Sequence, residues 1–197
     1  MMLIEQTVVP DAALPVAQLR EYLRLGSGFS GGAADEAALQ GCLRAALSTI
    51  EARVAKAIFA RRFKWTLAAW RDLSAQVLPK SPVADIVSLE IIDLQGVRDV
   101  IDPTRFRLEG DTHKPRLVAV SWSLPQIPVG GAAEISFDAG YGAAWADIPG
   151  DMAQATLMLA AHYYDHRGAI GEGPEAVPPA VRDLLAQYRV IRLFGGF

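Results

Sequence analysis

The sequence predicts an α+β protein in which a β-rich segment is inserted between helical segments. A helical apolar pattern runs from Leu39 to Ile58, and short Val- and Ile-rich segments follow between about Phe63 and Asp138. A helical pattern returns after Pro149. We therefore expect three parts: an N-terminal helical part at residues 1–62, a β-rich insertion at residues 63–147, and C-terminal helices with a tail at residues 148–197.

Composition limits the classes of function. The chain of 197 residues is long enough to bury a core, and its net charge of −3 argues against broad neutralisation of phosphates. Nucleic acid can still pass such a surface without being held. No apolar run approaches the roughly 20 residues of a membrane helix, and the first residues lack the cationic start of a signal peptide. The single Cys42 excludes an internal disulfide, suits a reducing compartment and is expected to be a small buried side chain.

The N-terminal part contains two predicted helices. Pro15 suits a first helical turn, and apolar spacing continues to Leu23. The glycine-rich residues 26–34 lack the Gly-Lys-Ser/Thr ending and the preceding strand of a nucleotide-binding loop. Asp35 is a candidate N-cap of the second helix, and the basic residues 61–64 are expected at that helix's carbonyl end. The second helix carries a long apolar face, typical of packing against other helices or of contact between subunits: Leu39, Leu43, Leu47, Ile50, Val54 and Ile58.

The central part predicts a small antiparallel sheet or sandwich. Strands are expected near residues 65–69, 83–93, 106–108, 117–120 and 133–137, separated by turn-forming stretches rich in proline, glycine and aspartate. Acidic residues are scattered through this part without the alternating spacing and closing glutamate of a calcium loop. They are therefore interpreted as structural.

The C-terminal part predicts two more helices and an apolar tail. One helix starts at Pro149 and ends before Gly168, and a final helix runs from Pro178 or Pro179 to about Ile191. The tail ends in Leu193, Phe194 and Phe197. Each large apolar side chain gains about 1.5–3 kcal/mol from burial, so the tail is expected to fold back or to dock in a groove of another chain. We favour docking, because the glycines between the phenylalanines loosen any intramolecular contact.

Catalytic patterns are weak in this sequence. His162 and His166 lie four residues apart on one side of a predicted helix, which is half of a metal site. The zinc-protease pattern requires glutamate after the first histidine, where Tyr163 stands, and the serines lack the Gly-x-Ser-x-Gly context. We predict no catalytic, cofactor or metal residues. A metal-dependent enzyme using His162 and His166 is the distant alternative.

The ordered segments of the chain resemble a known family. They are Leu23-Arg24, the glycine-rich gap, Asp35-Glu36, the Pro-containing entry at residues 78–83 leading into residues 87–90, Ala139 to Gly142, and Ile148-Pro149 opening a helix that ends at Arg167. This order resembles the head–tail connector, or adaptor, proteins of long-tailed bacteriophages and of phage-derived gene transfer agents. The resemblance covers nearly the whole chain.

The resemblance implies a helical bundle of two N-terminal and two C-terminal helices with an inserted antiparallel β region. It also implies a ring, commonly of about twelve copies, that extends the DNA channel in the particle neck. The implied partners are the portal protein and a stopper or tail-terminator protein. DNA is expected to pass through the channel without sequence-specific binding, and no membrane is involved. Assembly is expected in the bacterial cytoplasm. Another neck component, a stopper or tail-completion protein, is the nearer alternative.

Two sets of residues receive structural roles. The resemblance implies that Leu193, Phe194 and Phe197 dock on the portal. The residues at the junction between the strand and the following helix are expected to hold the helix end against its neighbours. They are Tyr141, Pro149, Tyr163, Tyr164 and Arg167.

Overall fold

The computed structural model describes residues 2–25, 33–166 and 177–189. Within these ranges the fold is α+β, with four α-helices and antiparallel sheets. The chain divides into two compact units. One comprises Met1–Val8 and Phe59–Ala143, and the other comprises Val9–Ile58 and Ala144–Phe197.

The first unit contains eight strands. They are β1 (Met2–Glu5), β2 (Arg61–Leu67), β3 (Ala75–Val77), β4 (Val83–Ile92), β5 (Arg98–Val100), β6 (Phe106–Glu109), β7 (Arg116–Ala119) and β8 (Ala132–Ala139). A five-stranded sheet has the order β1-β2-β8-β4-β5, and a three-stranded sheet has the order β3-β7-β6. All strand pairs are antiparallel. The predicted strands near residues 65–69, 83–93, 106–108, 117–120 and 133–137 are confirmed.

Alternation along β2 and β8 builds the core of this unit. Phe63, Trp65 and Leu67 of β2 are buried on one face of the five-stranded sheet, and the rings of Phe63 and Phe137 stack with centroids 5.8 Å apart. The central strand β8 is buried along most of its length. It ends at Ala139, and the next residue, Gly140, takes φ +136°.

The second unit contains the helices α1 (Val16–Tyr22), α2 (Ala33–Val54), α3 (Gly150–Asp165) and α4 (Pro179–Leu184). Helix α3 contacts α1, α2 and α4. The predicted apolar face of α2 is buried, and α3 contributes Met152, Ala155 and Leu159 to the same unit's core. Thr156, buried on α3, donates its hydroxyl to the carbonyl of Met152, so its polar group is satisfied.

Three predictions about helix ends are wrong. Helix α2 already includes Ala33, so Asp35 lies in its first turn and not at the N-cap. The helix ends at Val54, because Ala55 takes a left-handed conformation with φ 55°, and the basic residues 61–64 therefore belong to strand β2. The final helix ends at Leu184, and residues 186–188 form a short 3-10 turn.

Candidate functional site

One edge of the five-stranded sheet is apolar on both faces. Strand β1 forms this edge, and Met2, Leu3 and Ile4 are all exposed. Leu3 lies opposite Trp65, on the face that carries the core, whereas Ile4 lies opposite Lys64 on the other face. Apolar residues on both faces of a strand are typical of strands that are covered on both sides. We call residues 2–4 the β1 edge.

The opposite edge of the same sheet combines charged and apolar residues, since β5 consists of the exposed residues Arg98, Asp99 and Val100. Strand β5 forms it, with Val97 and Val100 exposed beside the turn that joins β4 to β5. Leu94 in that turn and Val129 in the loop before β8 are exposed as well, Val129 to 98%. A Cβ added at Gly130 would lie 2.9 Å from a methyl carbon of Leu94, so the loop and the turn are in contact. We call Leu94, Val97, Val100 and Val129 the β5 edge.

The turn that presents the β5 edge is held by one carboxylate. Asp93 accepts hydrogen bonds from the backbone N–H groups of Gln95 and Val97 at 2.9 and 2.8 Å. Gly96 takes φ +82°, a left-handed conformation that favours glycine. Leu94 and Val97 are therefore exposed from an ordered turn and not from a frayed loop end.

A network of charged side chains covers the face of the sheet opposite the core. Glu134 on β8 contacts Lys64 Nζ at 2.8 Å and Arg98 Nη1 at 2.7 Å, and its side chain is only 9% exposed. Arg98 also contacts Glu90 at 2.7 Å. Burial by itself raises the pKa of Glu134, but the hydrogen bonds from Arg98 and Lys64 outweigh it and hold the pKa below its ordinary value. The hydrogen bonds that Arg98 donates to Glu134 and Glu90 raise the pKa of Arg98.

A second ion pair extends this network along β2 and β8. Arg62 donates two parallel hydrogen bonds to Asp138, at 2.8 and 2.9 Å, and these bonds raise the pKa of Arg62. The cations of this face, Arg62, Lys64 and Arg98, are each paired with a carboxylate. The face therefore does not carry the unpaired basic groups that hold phosphates.

In the helical unit, two tyrosines at the end of α3 bind α2. Tyr163 shares a hydrogen bond of 3.0 Å with the hydroxyl of Thr49, and Tyr164 donates to Asp35 at 3.0 Å. Asp35 also lies 3.9 Å from Arg20 of α1. These contacts join the C-terminal end of α3 to both ends of α2.

The other residues of the predicted junction are placed as follows. Pro149 is the N-cap residue of α3, and its fixed φ precedes the first turn. Tyr141 is partly buried in the loop after β8. Arg167 lies outside the described residues.

Comparison with solved structures identifies the family of the chain. A chain in the neck of an empty gene transfer agent particle, solved with C6 symmetry, is 45% identical with a TM-score of 0.90. A chain in the virion of a native gene transfer agent particle is 45% identical with a TM-score of 0.87. A chain in the neck of a native particle, solved with C12 symmetry, is 42% identical with a TM-score of 0.84. Each match covers 100% of this chain and 99% of the other.

The chain belongs to the gene transfer agent neck proteins. No protein-family model and no curated protein sequence matches this neck protein. Across the described ranges, no helix combines the length and the apolar character needed to span a membrane.

The histidine pair of this neck protein lies where the helical spacing predicts. The rings of His162 and His166 have centroids 4.3 Å apart, and Nδ1 of His166 lies 2.8 Å from the carbonyl oxygen of His162. Among the described residues, no group of three or more His, Cys, Asp or Glu is placed to hold a metal ion. The ring of His162 also lies 6.2 Å from that of Tyr163, so the contacts shown for this pair are with one another, with Tyr163 and with the helix end.

The predicted portal-docking residues Leu193, Phe194 and Phe197 lie outside the described residues. Cys42 on α2 is partly exposed, not buried as expected.

The two sheet edges were missed in the sequence because β1 shows no alternation and β5 has only three residues. The one available signal was the apolar run Met1 to Ile4, which by itself fits many structures.

A cavity of about 260 Å³ lies on the core side of the β unit. Trp65, Arg71, Gln76 and Arg116 are among the residues that line it. Trp65 is 3% exposed, and its indole N–H has no hydrogen-bond partner in the part of the chain that the structure describes. A cavity of this size with a buried donor has room for ordered water, which commonly satisfies such a group.

Proposed function

We propose that this chain is an adaptor, a head–tail connector subunit that forms a ring between the portal and the tail stopper or terminator. The observation that carries the proposal is the full-length match to chains in particle necks solved under rotational symmetry. The ring extends the channel through which DNA leaves the particle. The function is structural, and it needs no catalytic residue, cofactor or metal.

The symmetries of the two necks support a ring of twelve. A ring of twelve copies satisfies C12 averaging, and it also satisfies C6 averaging because sixfold rotation is contained in twelvefold rotation. If a component were present in six copies, C12 averaging would superpose each copy on a position that holds no copy. Related chains occur in both a C6 and a C12 neck, which favours twelve copies over six. This argument supports the adaptor over a sixfold neck component such as a stopper.

The surface chemistry fits a channel component that does not bind DNA tightly. The net charge is −3, and the cations on the exposed sheet face are paired with carboxylates. A protein that neutralises phosphates needs free basic groups. DNA therefore passes this ring without sequence-specific binding.

The helical unit provides the frame for portal attachment. We propose that α1 to α4 form a bundle, and that Tyr141 in the β unit has a structural role at the junction between β8 and α3, together with Pro149, Tyr163, Tyr164 and Arg167. Leu193, Phe194 and Phe197 extend from the bundle and fill apolar pockets on the portal. Of the divisions 1–62, 63–147 and 148–197, the first supplies the bundle through residues 9–58 only, because β1 and the start of β2 belong to the β unit. The second is the insertion, and the third is bundle with docking tail in this proposal. Assembly takes place in the bacterial cytoplasm.

Deletion of residues 193–197 tests the adaptor role. We expect the truncated chain to keep its melting temperature, because the tail contributes interface area and not core, and to be lost from particles that contain portal. The measurement is mass spectrometry and electron microscopy of particles purified through a tag on the chain. Gly195→Ala is the matched control and is expected to remain in the particle. Normal incorporation of the truncated chain would contradict portal docking by the tail.

Imaging of the same particles tests the larger proposal. A ring of the tagged chain between portal and tail supports the adaptor role. A tagged chain that purifies free of any particle, or that lies only on the tail side of another ring, contradicts it.

A further inference from the structure

We propose that Asp151 fixes the chain just before the C-terminal tail and thereby positions residues 193–197 for docking on the portal. Asp151 is a positioning residue in this inference, because it acts through Gln187 and Tyr188 and not on the portal itself. The inference deepens the proposed function and rests on it, since it requires that the tail dock. It adds the side chains that give the tail a fixed starting point.

The carboxylate of Asp151 accepts hydrogen bonds from two consecutive side chains. The amide N–H₂ group of Gln187 donates to Oδ2, and the hydroxyl of Tyr188 donates to Oδ1 at 2.5 Å. Asp151 lies in the first turn of α3, whereas its two donors belong to the 3-10 turn at residues 186–188. The two bonds therefore join the start of α3 to the chain that follows α4. We call Asp151, Gln187 and Tyr188 the Asp151 clamp.

The acceptor of the clamp is itself held in place. Oδ1 of Asp151 also accepts a hydrogen bond from the backbone N–H of Met152 at 2.9 Å. The side chain of Met152 is fully buried, so this turn of α3 is anchored in the core of the helical unit. A negative charge is favourable in the first turn of a helix, because the helix dipole is positive there. Asp151 thus presents a carboxylate whose position is set by α3.

Apolar packing holds the chain up to the clamp but not at the clamp. Val181 of α4 and Leu185 just after it are buried, whereas Ala186 and Gln187 are exposed. The 3-10 turn has only three residues, and its last backbone hydrogen bond, from Arg189 to Ala186, is 3.3 Å long. Hydrogen bonds to a charged acceptor are stronger than neutral ones. The Asp151 clamp therefore supplies a strong attachment of this exposed turn to α3.

The clamp limits how far the docking residues can reach. Tyr188 precedes Leu193 by five residues and Phe197 by nine. At about 3.4 Å per residue these two side chains reach at most about 17 and 31 Å from the clamp. If the clamp opens, the fixed point moves back to Leu185, and both limits grow by about 10 Å. Effective concentration falls with roughly the −3/2 power of segment length, so extension from five to eight residues lowers it about twofold.

Competitive incorporation into particles tests the inference. Wild type and an Asp151→Ala variant with different tags are co-expressed, and their ratio in purified particles is measured by mass spectrometry. We expect the variant to be depleted about twofold or more relative to its share in the cell extract. Gln187→Met with Tyr188→Phe removes the same two hydrogen bonds without altering α3, and equal depletion is expected. Combining all three changes should add nothing further, because both variants remove one shared contact.

Trypsin cleavage after Arg189 gives a readout that does not depend on particles. Opening of the clamp frees the turn that precedes Arg189, so the purified chain of both clamp variants should be cleaved there at least about fivefold faster. The matched control is Gln154→Ala. Gln154 is exposed on α3 one turn beyond Asp151, and its replacement should change neither cleavage nor incorporation.

The outcomes separate the inference from the proposed function. Normal incorporation of both clamp variants, together with loss of the chain that lacks residues 193–197, would overturn the inference and leave portal docking by the tail standing. Depletion that follows a lower melting temperature, with unchanged cleavage after Arg189, would also overturn it, because it indicates a role in stability alone. Normal incorporation of the chain that lacks residues 193–197 would instead remove docking by the tail, and the inference with it.

Discussion

Replacement of Glu134 by glutamine tests the charged network of the β unit. The Glu134 carboxylate accepts hydrogen bonds from Lys64 and Arg98, and its side chain is only 9% exposed. Glutamine has nearly the same shape, but it removes the charge and places an amide N–H₂ group beside two cations. The variant therefore isolates electrostatics from packing.

The magnitude follows from the exposure of the three groups. A hydrogen bond that involves a charged group contributes about 1.5–3 kcal/mol. The side chains of Lys64 and Arg98 are 28% and 49% exposed, so both cations regain hydration when the carboxylate is removed, and the low end applies. The amide oxygen of glutamine retains one acceptor. We expect Glu134→Gln to lower the free energy of unfolding by about 2 kcal/mol at about pH 7.

The assay is urea unfolding followed by tryptophan fluorescence, since Trp65 is buried in the same unit. The pKa of Glu134 is lowered by folding, so its contribution is present above the pKa of the unfolded chain and is lost as the pH falls through the folded value. The difference between wild type and variant should therefore shrink below about pH 4. A constant difference from about pH 7 to about pH 3 would refute an electrostatic origin.

Glu90→Gln is the matched comparison. Glu90 contacts Arg98 but not Lys64, and it is more exposed than Glu134. Its replacement should cost less than that of Glu134. Equal losses from both variants would show that Glu134 is not the centre of the network.

Two glycine variants are predicted to have opposite effects on the thermal midpoint. Gly140→Ala should destabilise by about 3 kcal/mol or more, because its φ is +136° and the new Cβ would lie 2.3 Å from the carbonyl oxygen of Phe59. A wild-type melting curve would show that the chain does not pass so close there. Gly41→Ala should stabilise by up to about 1 kcal/mol, since it lies within α2 and a Cβ meets nothing within 4 Å. A lower midpoint for Gly41→Ala would reveal a neighbour on that side of the helix.

The long, periodic elements could be predicted from the sequence. The apolar spacing from Leu39 to Val54 gives α2, and the alternation along β2 and β8 gives the core of the sheet. Pro149 marks the start of α3 and Gly140 follows the end of β8, because both residues act through local backbone geometry. Each of these signals lies close in the sequence to the helix or strand that it predicts.

Features decided by distant partners could not be predicted. Strand β1 is held by pairing with residues 63–66, and nothing near Met2 signals that pairing. Lys64 and Glu134 are far apart in the chain, so their contact depends on strand register. Lys56 is fully buried although helical spacing places it off the apolar face, because α2 ends before it at a left-handed alanine. Left-handed alanine is uncommon, and the sequence provides no marker for it.

The position of β8 in the sheet sets the order of events during synthesis. Strand β8 is the last of the eight to be made, yet it lies between β2 and β4. At about 5–20 residues per second, β2 and β4 wait roughly 2 to 9 seconds between completion of Ile92 and completion of Ala139. Their apolar faces are open to chaperones during that interval. The sheet and both of its outer edges are complete only after Ala139 has been translated, which separates synthesis of a subunit from its assembly into a ring.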